Sequence, residues 1–477
     1  MKINCEDIRD SLRNHLKAPR RQWVKFSIWG LIYIIFILWV GNLWWLLLLP
    51  LILDLFVTKY INWSWWRKYK ESKPLIYTIL SWIDAIVFAL VAVYFINQYL
   101  FQNYQIPSSS LEKTMLRGDF LFVSKLAYGP RIPNTPLSMP LMQHTMPAWL
   151  GGGKSYIECP QWDYRRLSGL DTIHLGDIVV FNFPAGDTVA LNMQNPDYYT
   201  LCYIYGSDRV HADKATFGDI VYRPVDRREN YVKRCVGLPG DVIEIRDNQV
   251  YRNGVIEADH DFVQYNYIVQ TTGGLIAERI FEQMDIARED QRLLNTQVYD
   301  VQEMLIQQGM DPYAPTYLLP LTKQNVRTFE ANPNISRIVI EPEFMGGEVY
   351  PLGHNQWSRD NYGPIRIPRR NMTVHLDSSN YYLYERCIRN YERQQIEQKD
   401  GQIYINGQPT DSYTFQMNYF WMMGDNRHQS ADSRHWGFVP EDHIVGRPVF
   451  IWLSLDPEKS LFKGKIRWNR IFRSAHI

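Results

Sequence analysis

Three consecutive serines, Ser108, Ser109 and Ser110, stand in the segment IPSSSLEKTMLRGD at residues 106 to 119. A serine hydroxyl is a weak nucleophile until a neighbouring base removes its proton, so any chemistry here depends on a base supplied from elsewhere in the chain. A histidine triad has little support, because there is no G-x-S-x-G elbow and none of the 11 histidines has a recognisable catalytic context. His211 in RVHADK and His428 in GDNRHQS read as ordinary polar residues. A lysine is the other candidate base, provided its pKa falls by several units, which burial beside apolar side chains can achieve. Lys233 in NYVKRCVGLPGD is placed for this on an expected strand, flanked by Val232 and Val236. Spacing alone would point such a lysine to solvent.

The elements that must position these residues change character along the chain. Phe26 to Leu53 contains no charged side chain, and Leu75 to Leu100 contains only Asp84. These are membrane-length stretches without the small-residue cleavage site of a removable leader, so they read as permanent anchors. Basic residues Lys2, Arg9, Arg13, Lys17, Arg20, Arg21 and Lys25 precede the first stretch, and Arg67, Lys68, Lys70 and Lys73 follow it. The positive-inside rule places both groups in the cytoplasm. A hairpin of two short segments, 26 to 40 and 43 to 57, turning at Gly41-Asn42, satisfies this, either spanning twice or re-entering. The span at 75–100 then leads outward, leaving everything beyond it extracytoplasmic.

Past residue 105, short runs rich in Val, Ile, Phe and Tyr alternate with Gly-Asp pairs, as in GDFLFVSKLAY, GDIVVFNFP, GDIVYRP and VGRPVFIWLSL, predicting a β-rich domain. DNQVYRNG (247 to 254) and DGQIYING (400 to 407) each predict a strand closing on an Asn-Gly turn. Residues 277 to 309 have helical periodicity and 378 to 398 begin with helix-capping residues, so 256–395 reads as an inserted α+β subdomain. The resulting organisation is a basic N-terminus at 1–25, an anchor at 26–100, a catalytic core in two parts at 101–255 and 396–477, and the insertion between them.

Composition rules out wholesale disorder. The chain has 477 residues, is 46% hydrophobic and carries a net charge of +1, which argues against a nucleic-acid partner. Cys5 would be cytosolic. Cys159, Cys202, Cys235 and Cys387 would face an oxidising space, where one or two disulfides could form in pairings that spacing does not assign. No close Cys/His pattern marks a zinc site.

Four segments occur in order after the anchor: QIPSSSLEKTMLRGDFLFVSKLAYG, GDIVVFNFP, YVKRCVGLPGD and MMGDNRHQSADSRHWGFVP. Together they resemble the boxes of bacterial type I signal peptidase, the Ser/Lys-dyad family of serine endopeptidases. The resemblance covers well under half of the outer region. It implies N-terminal transmembrane helices followed by a mainly β catalytic domain on the periplasmic side of the plasma membrane. It further implies Ser110 as nucleophile, Lys233 as general base, Ser108 as a hydroxyl donor to the oxyanion beside the Ser110 backbone N–H, and Ser430 as the serine that orients the lysine. Asp432 and Arg434 match a charged pair bracing that loop. Ile106, Met115 and Val232 match positions lining pockets for small substrate side chains, or else simply pack in the core. Asp425 reads as a turn former and Arg234 as a structural partner.

The implied substrates are preprotein signal peptides with small residues before the cleavage site. The implied partners are membrane lipid and the export machinery, with no cofactor and no metal. The terminal KGKIRWNRIFRSAHI, with Trp468, Ile471 and Phe472 among its cations, reads as a solvated tail or a lipid contact. The chain departs from the family pattern at Leu111 and Lys113, where Met and Pro are usual, and at His428-Gln429, where Asp-Asn is usual. The Gly-Asp-Ile-Val box occurs twice, at 176 and 218, and sequence alone does not say which copy adjoins the dyad. Two rival readings are an inactive interaction protein on the same fold and a self-cleaving repressor-type Ser/Lys protease. The intact serine and lysine set disfavours the first, and the multispan anchor disfavours the second.

Overall fold

The computed structural model describes residues 18–185, 188–194 and 196–475. Lys2, Cys5, Arg9, Arg13 and Lys17 lie outside the described residues. The chain divides between Asn97 and Gln98 into two compact units. In the first, helix α1 runs over Arg20–Val40, starting a turn and a half before the apolar stretch, and ends at Gly41 in the left-handed conformation (φ 66°). Asn42 restarts the chain by accepting a hydrogen bond from the Trp44 N–H. Residues 43–58 then fold back on α1 as short 3₁₀, α and π turns, with the Tyr33 hydroxyl donating to the Trp45 carbonyl at 2.7 Å. Helix α2 covers Pro74–Tyr99. Helices α1 and α2 are long and apolar enough to cross a membrane, whereas Leu43–Thr58 is shorter. At 1.5 Å per residue the 21 residues of α1 reach about 31 Å, close to the thickness of a hydrocarbon core.

The second unit is mostly β. Its principal sheet contains β1 (Phe101–Gln105), β2 (Asp119–Ser124), β3 (Ile178–Asn182), β4 (Asn230–Gly237), β5 (Tyr419–Met423), β6 (Val439–Pro440) and β7 (Ile444–Ser454). They lie in the order β1-β2-β7-β3-β4-β5-β6, each pair antiparallel. Strand β3, reading IVVFN, is buried at every position, as suits a central strand covered on both faces. Its partner β4 sets Lys233 opposite Val179 and Val232 opposite Val180. The copy at 176 therefore adjoins the lysine strand. The second copy forms only Ile220–Tyr222, paired with Thr188–Ala190 in a separate two-stranded ribbon.

Residues 264–340 build a second antiparallel sheet from Gln264–Thr271, Thr316–Thr322, Ile335–Ile340 and Arg292–Leu293, with its own apolar clusters around Phe281 and Leu305. The helical periodicity over 277 to 309 resolves into two short helices, Glu278–Gln283 and Tyr299–Gln307, because the Arg292–Leu293 strand falls between them. Residues 349–396 pack differently, sharing one core with Ile243, Ile245, Phe415, Trp421 and Phe438. Both Asn-Gly turns form, with Asn253 and Asn406 at φ 53° and 52°. Cys159, Cys202, Cys235 and Cys387 are free thiols.

Candidate active site

The serine triplet follows β1 and sinks progressively into the protein. Ser108 is exposed, Ser109 half-buried and Ser110 buried. The loop after it is a chain of tight turns, with Glu112 N–H bonded to the Ser109 carbonyl and Met115 N–H to the Leu111 carbonyl. Leu111 and Met115 anchor these turns in the apolar cluster beneath β2 and β3. The Thr114 hydroxyl donates to Asp425 at 2.7 Å.

Lys233 meets this loop from β4. Its Nζ lies 2.6 Å from Ser110 Oγ, and both groups are buried, across 123 residues of sequence. Ser108 Oγ is 3.4 Å from Ser110 Oγ. Loss of hydration brings the Lys233 pKa down to about 8; the Asp432 and Asp425 carboxylates oppose the fall and the Arg434 guanidinium adds to it. A substantial fraction of neutral amine near pH 8 is what a base acting on a hydroxyl requires.

The GDNRHQSADSR segment closes the site. A Cβ on Gly424 would fall 2.3 Å from Ser430 Oγ and 2.6 Å from the Ser110 carbonyl oxygen, so only glycine lets the two serine loops meet. The Asn426 N–H donates to that same Ser110 carbonyl at 3.1 Å. Ser430 is buried, and its hydroxyl has no hydrogen-bond partner among the described residues; it is not bonded to Lys233. Arg434 grips Asp432 with Nε and Nη2 at 2.9 and 2.8 Å, and the Gly424 N–H donates to Asp432 at 3.1 Å. Arg234 grips Asp425 in the same manner, both contacts at 2.8 Å, and His260 Nε2 is 3.0 Å from that carboxylate. Burial works against ionising either aspartate, yet the guanidinium forks hold both carboxyls well below the usual range.

Ser108, Ser110, Lys233, Ser430, Asp432 and Arg434 thus belong to one constellation. Ile106 and Met115 are buried in the apolar cluster, against which the half-exposed Val232 packs. Asp425 does more than shape a turn, since it joins Arg234, Thr114 and His260. Thr114 and His260 were not legible as its partners; the adjacency of Arg234 to the lysine was the only signal.

A mostly β domain preceded by apolar helices carries a buried serine hydroxyl against a lysine with lowered pKa, an arrangement suited to serine-nucleophile chemistry with a lysine base. A protein-family model described as "Signal peptidase, peptidase S26" matches residues 79–273 and 411–453, and the chain belongs to this family. It is similar to signal peptidase I of Buchnera aphidicola subsp. Acyrthosiphon pisum, 21% identical over 410 residues covering 85% of this chain and 84% of the relative. Against signal peptidase I of Helicobacter pylori it is 24% identical over 406 residues, 83% of this chain and 91% of the relative. A shorter stretch of 66 residues is 41% identical to signal peptidase I of Haemophilus influenzae, 14% of this chain and 19% of that protein. The family match stops at residue 273 and resumes at 411, leaving most of the second sheet outside it.

Proposed function

We propose that this chain removes signal peptides from exported preproteins by a Ser110–Lys233 dyad. The observation that carries the reading is the 2.6 Å contact between the buried Lys233 amine and the buried Ser110 hydroxyl. Neutral Lys233 accepts the hydroxyl proton as Ser110 Oγ bonds to the scissile carbonyl carbon. The oxyanion takes hydrogen bonds from the Ser108 hydroxyl and the Ser110 N–H. Collapse breaks the C–N bond, the lysine returns the proton to the departing amine, and water, deprotonated by the same lysine, hydrolyses the ester. The Asp432–Arg434 pair keeps the loop of the buried Ser430 in place against the Ser110 loop. Val232, with Ile106 and Met115 behind it, forms the apolar floor that accepts small side chains before the cleavage site.

The helices anchor the enzyme in the plasma membrane as a multi-pass protein with the catalytic domain on the periplasmic side, the insertion lying in the outer region. About ten residues separate the last apolar segment from Ser110, so at roughly 3.3 Å per residue the nucleophile stays near the lipid surface where a signal peptide emerges. Lipid and the export machinery are its neighbours there.

Ser110→Ala and Lys233→Ala are each expected to lower preprotein cleavage by roughly 10⁴-fold, leaving folded, membrane-bound protein and a reaction indifferent to chelators. Cleavage at the wild-type rate by purified Ser110→Ala would end this reading. An inactive scaffold on the same fold predicts no cleavage by the wild-type chain at all.

A further inference from the structure

Lys113 and His428, both departures from the family pattern, each contact segments flanking the strands of the second sheet. Lys113, three residues past the nucleophile, adopts a left-handed conformation (φ 71°), which a lysine holds only against a backbone penalty. Its Nζ donates to the Met284 carbonyl at 2.7 Å and to the Asp285 carbonyl, at a turn where Asp285 is also left-handed (φ 50°). Arg117 pairs with Glu289 just beyond. The loop after Ser110 is thus bound to the segment following the Glu278–Gln283 helix.

The Ser430 loop is bound to the opposite part of the same region. Gln264 N–H donates to the Asp425 carbonyl at 2.9 Å and the Arg427 N–H donates back to Gln264 at 2.8 Å. The His428 ring is completely buried, with Nδ1 3.1 Å from Glu341 and Nε2 2.9 Å from Asn248 and 3.2 Å from Asp360. Arg359 links the two acids, donating to Glu341 at 3.0 Å and to Asp360 at 2.8 Å. Gln429 Nε2 donates to Asn266 at 3.3 Å. Lys113 and His428 therefore each contact residues outside the two family-matched segments, Met284 and Asp285 for the first and Glu341 and Asp360 for the second, whereas Leu111 packs within them.

We propose that the second sheet is a clasp that positions the dyad, holding the Ser110 loop through Lys113 and the Ser430 loop through His428. Lys113 and His428 are positioning residues: neither touches Ser110 Oγ or Lys233 Nζ, and each acts through the loop that carries it. The physical logic is that a nucleophile must be held to a fraction of an ångström, and contacts from outside the two loops add to the precision that their own backbone bonds supply. The inference rests on the Ser110–Lys233 assignment.

The test uses the full-length protein in detergent micelles with a preprotein substrate, comparing Lys113→Met, Lys113→Arg, His428→Gln, the Lys113→Met/His428→Gln double variant and Ser110→Ala. Lys113→Met and His428→Gln are each expected to lower kcat about tenfold with KM within twofold of wild type, and Lys113→Arg to recover most of the loss. The double variant should lose less than the product of the two single effects, since both loosen one clasp. Rates are referred to the folded fraction read from thermal melting, so that instability is not mistaken for slow chemistry. If the folded single variants keep wild-type kcat while Ser110→Ala is dead, the clasp is overturned and the dyad stands. If Ser110→Ala is active, the dyad itself fails. A loss confined to KM, or one that Lys113→Arg does not recover, also overturns the clasp.

Discussion

Two pairs of buried carboxylic acids flank the serine loops, and their environments drive them in opposite directions. Asp425 and Asp432 are each gripped by a guanidinium fork and are held ionised despite complete burial. Glu112 and Asp290 are buried too, but burial raises them to about 7 and about 6, helped by the repulsion of Asp290 on Glu112 and of Glu289 on Asp290. Lys113, Arg467 and Arg470 pull Glu112 back without offsetting the lost hydration. Arg470 is engaged elsewhere, gripping Asp119. Depth does not decide the charge of a buried acid here; the presence of a dedicated bidentate partner does.

The largest break in this contrast comes from removing one acid of the first pair. Asp432→Asn would leave the Arg434 guanidinium buried without its counter-charge, at an expected loss of about 3–5 kcal/mol in denaturant unfolding. Replacing both residues with apolar side chains of similar volume should restore much of it. A loss below about 1 kcal/mol for the single change would mean that the pair is solvated and the contrast with Glu112 is only apparent.

Next in size is the effect on the lysine between them. Lys233 carries charge below about pH 8, so the rate of preprotein cleavage is expected to rise with pH through a midpoint near that value. The Asp432 carboxylate supports that charge while Arg434 opposes it. Whatever activity Asp432→Asn retains should therefore show a lower midpoint than wild type. An unchanged midpoint would separate the lysine from this carboxylate and leave burial, Asp425 and Arg434 to set its shift.

How much of this was legible in the sequence differs between the two pairs for a physical reason. Asp432, Arg434 and Asp425 sit in short segments whose order and spacing survive, and the serine and lysine boxes were readable for the same cause. The strand character of IVVFN and NYVKRCVG was readable from the residues themselves, since β-branched and aromatic side chains favour a covered sheet. The choice between the two Gly-Asp-Ile-Val copies was not, because both begin alike and only the pairing of β3 with both β7 and β4 separates them. Nor were the partners of Lys113 and Glu112 readable. Lys113 meets residues 171 and 172 positions away, through backbone carbonyls that carry no side-chain signature.

The finest distinction between the pairs is a dependence of stability on pH. Glu112 is raised from 4.5 to about 7, so its contribution to folding is fully present below about pH 4.5, where it is neutral folded or unfolded, and is lost as pH rises through 7. Asp290 follows through about 6, facing Glu289, Lys113, Gln429 and Glu458, and the two acids titrate as a coupled pair. At 1.36 kcal/mol per unit the charge on Glu112 costs on the order of 3 kcal/mol at pH 8.5. Glu112→Gln is therefore expected to raise Tm by a few degrees at pH 8.5 relative to wild type and to leave it nearly unchanged at pH 4.5. Asp432→Asn should lower stability at pH 8.5, because Asp432 contributes above the usual carboxylate range and loses that contribution only as pH falls through its depressed pKa. Opposite signs at alkaline pH from two neutralised acids in one domain would establish that the guanidinium fork sets the charge; the same sign for both would assign the difference to something other than pairing.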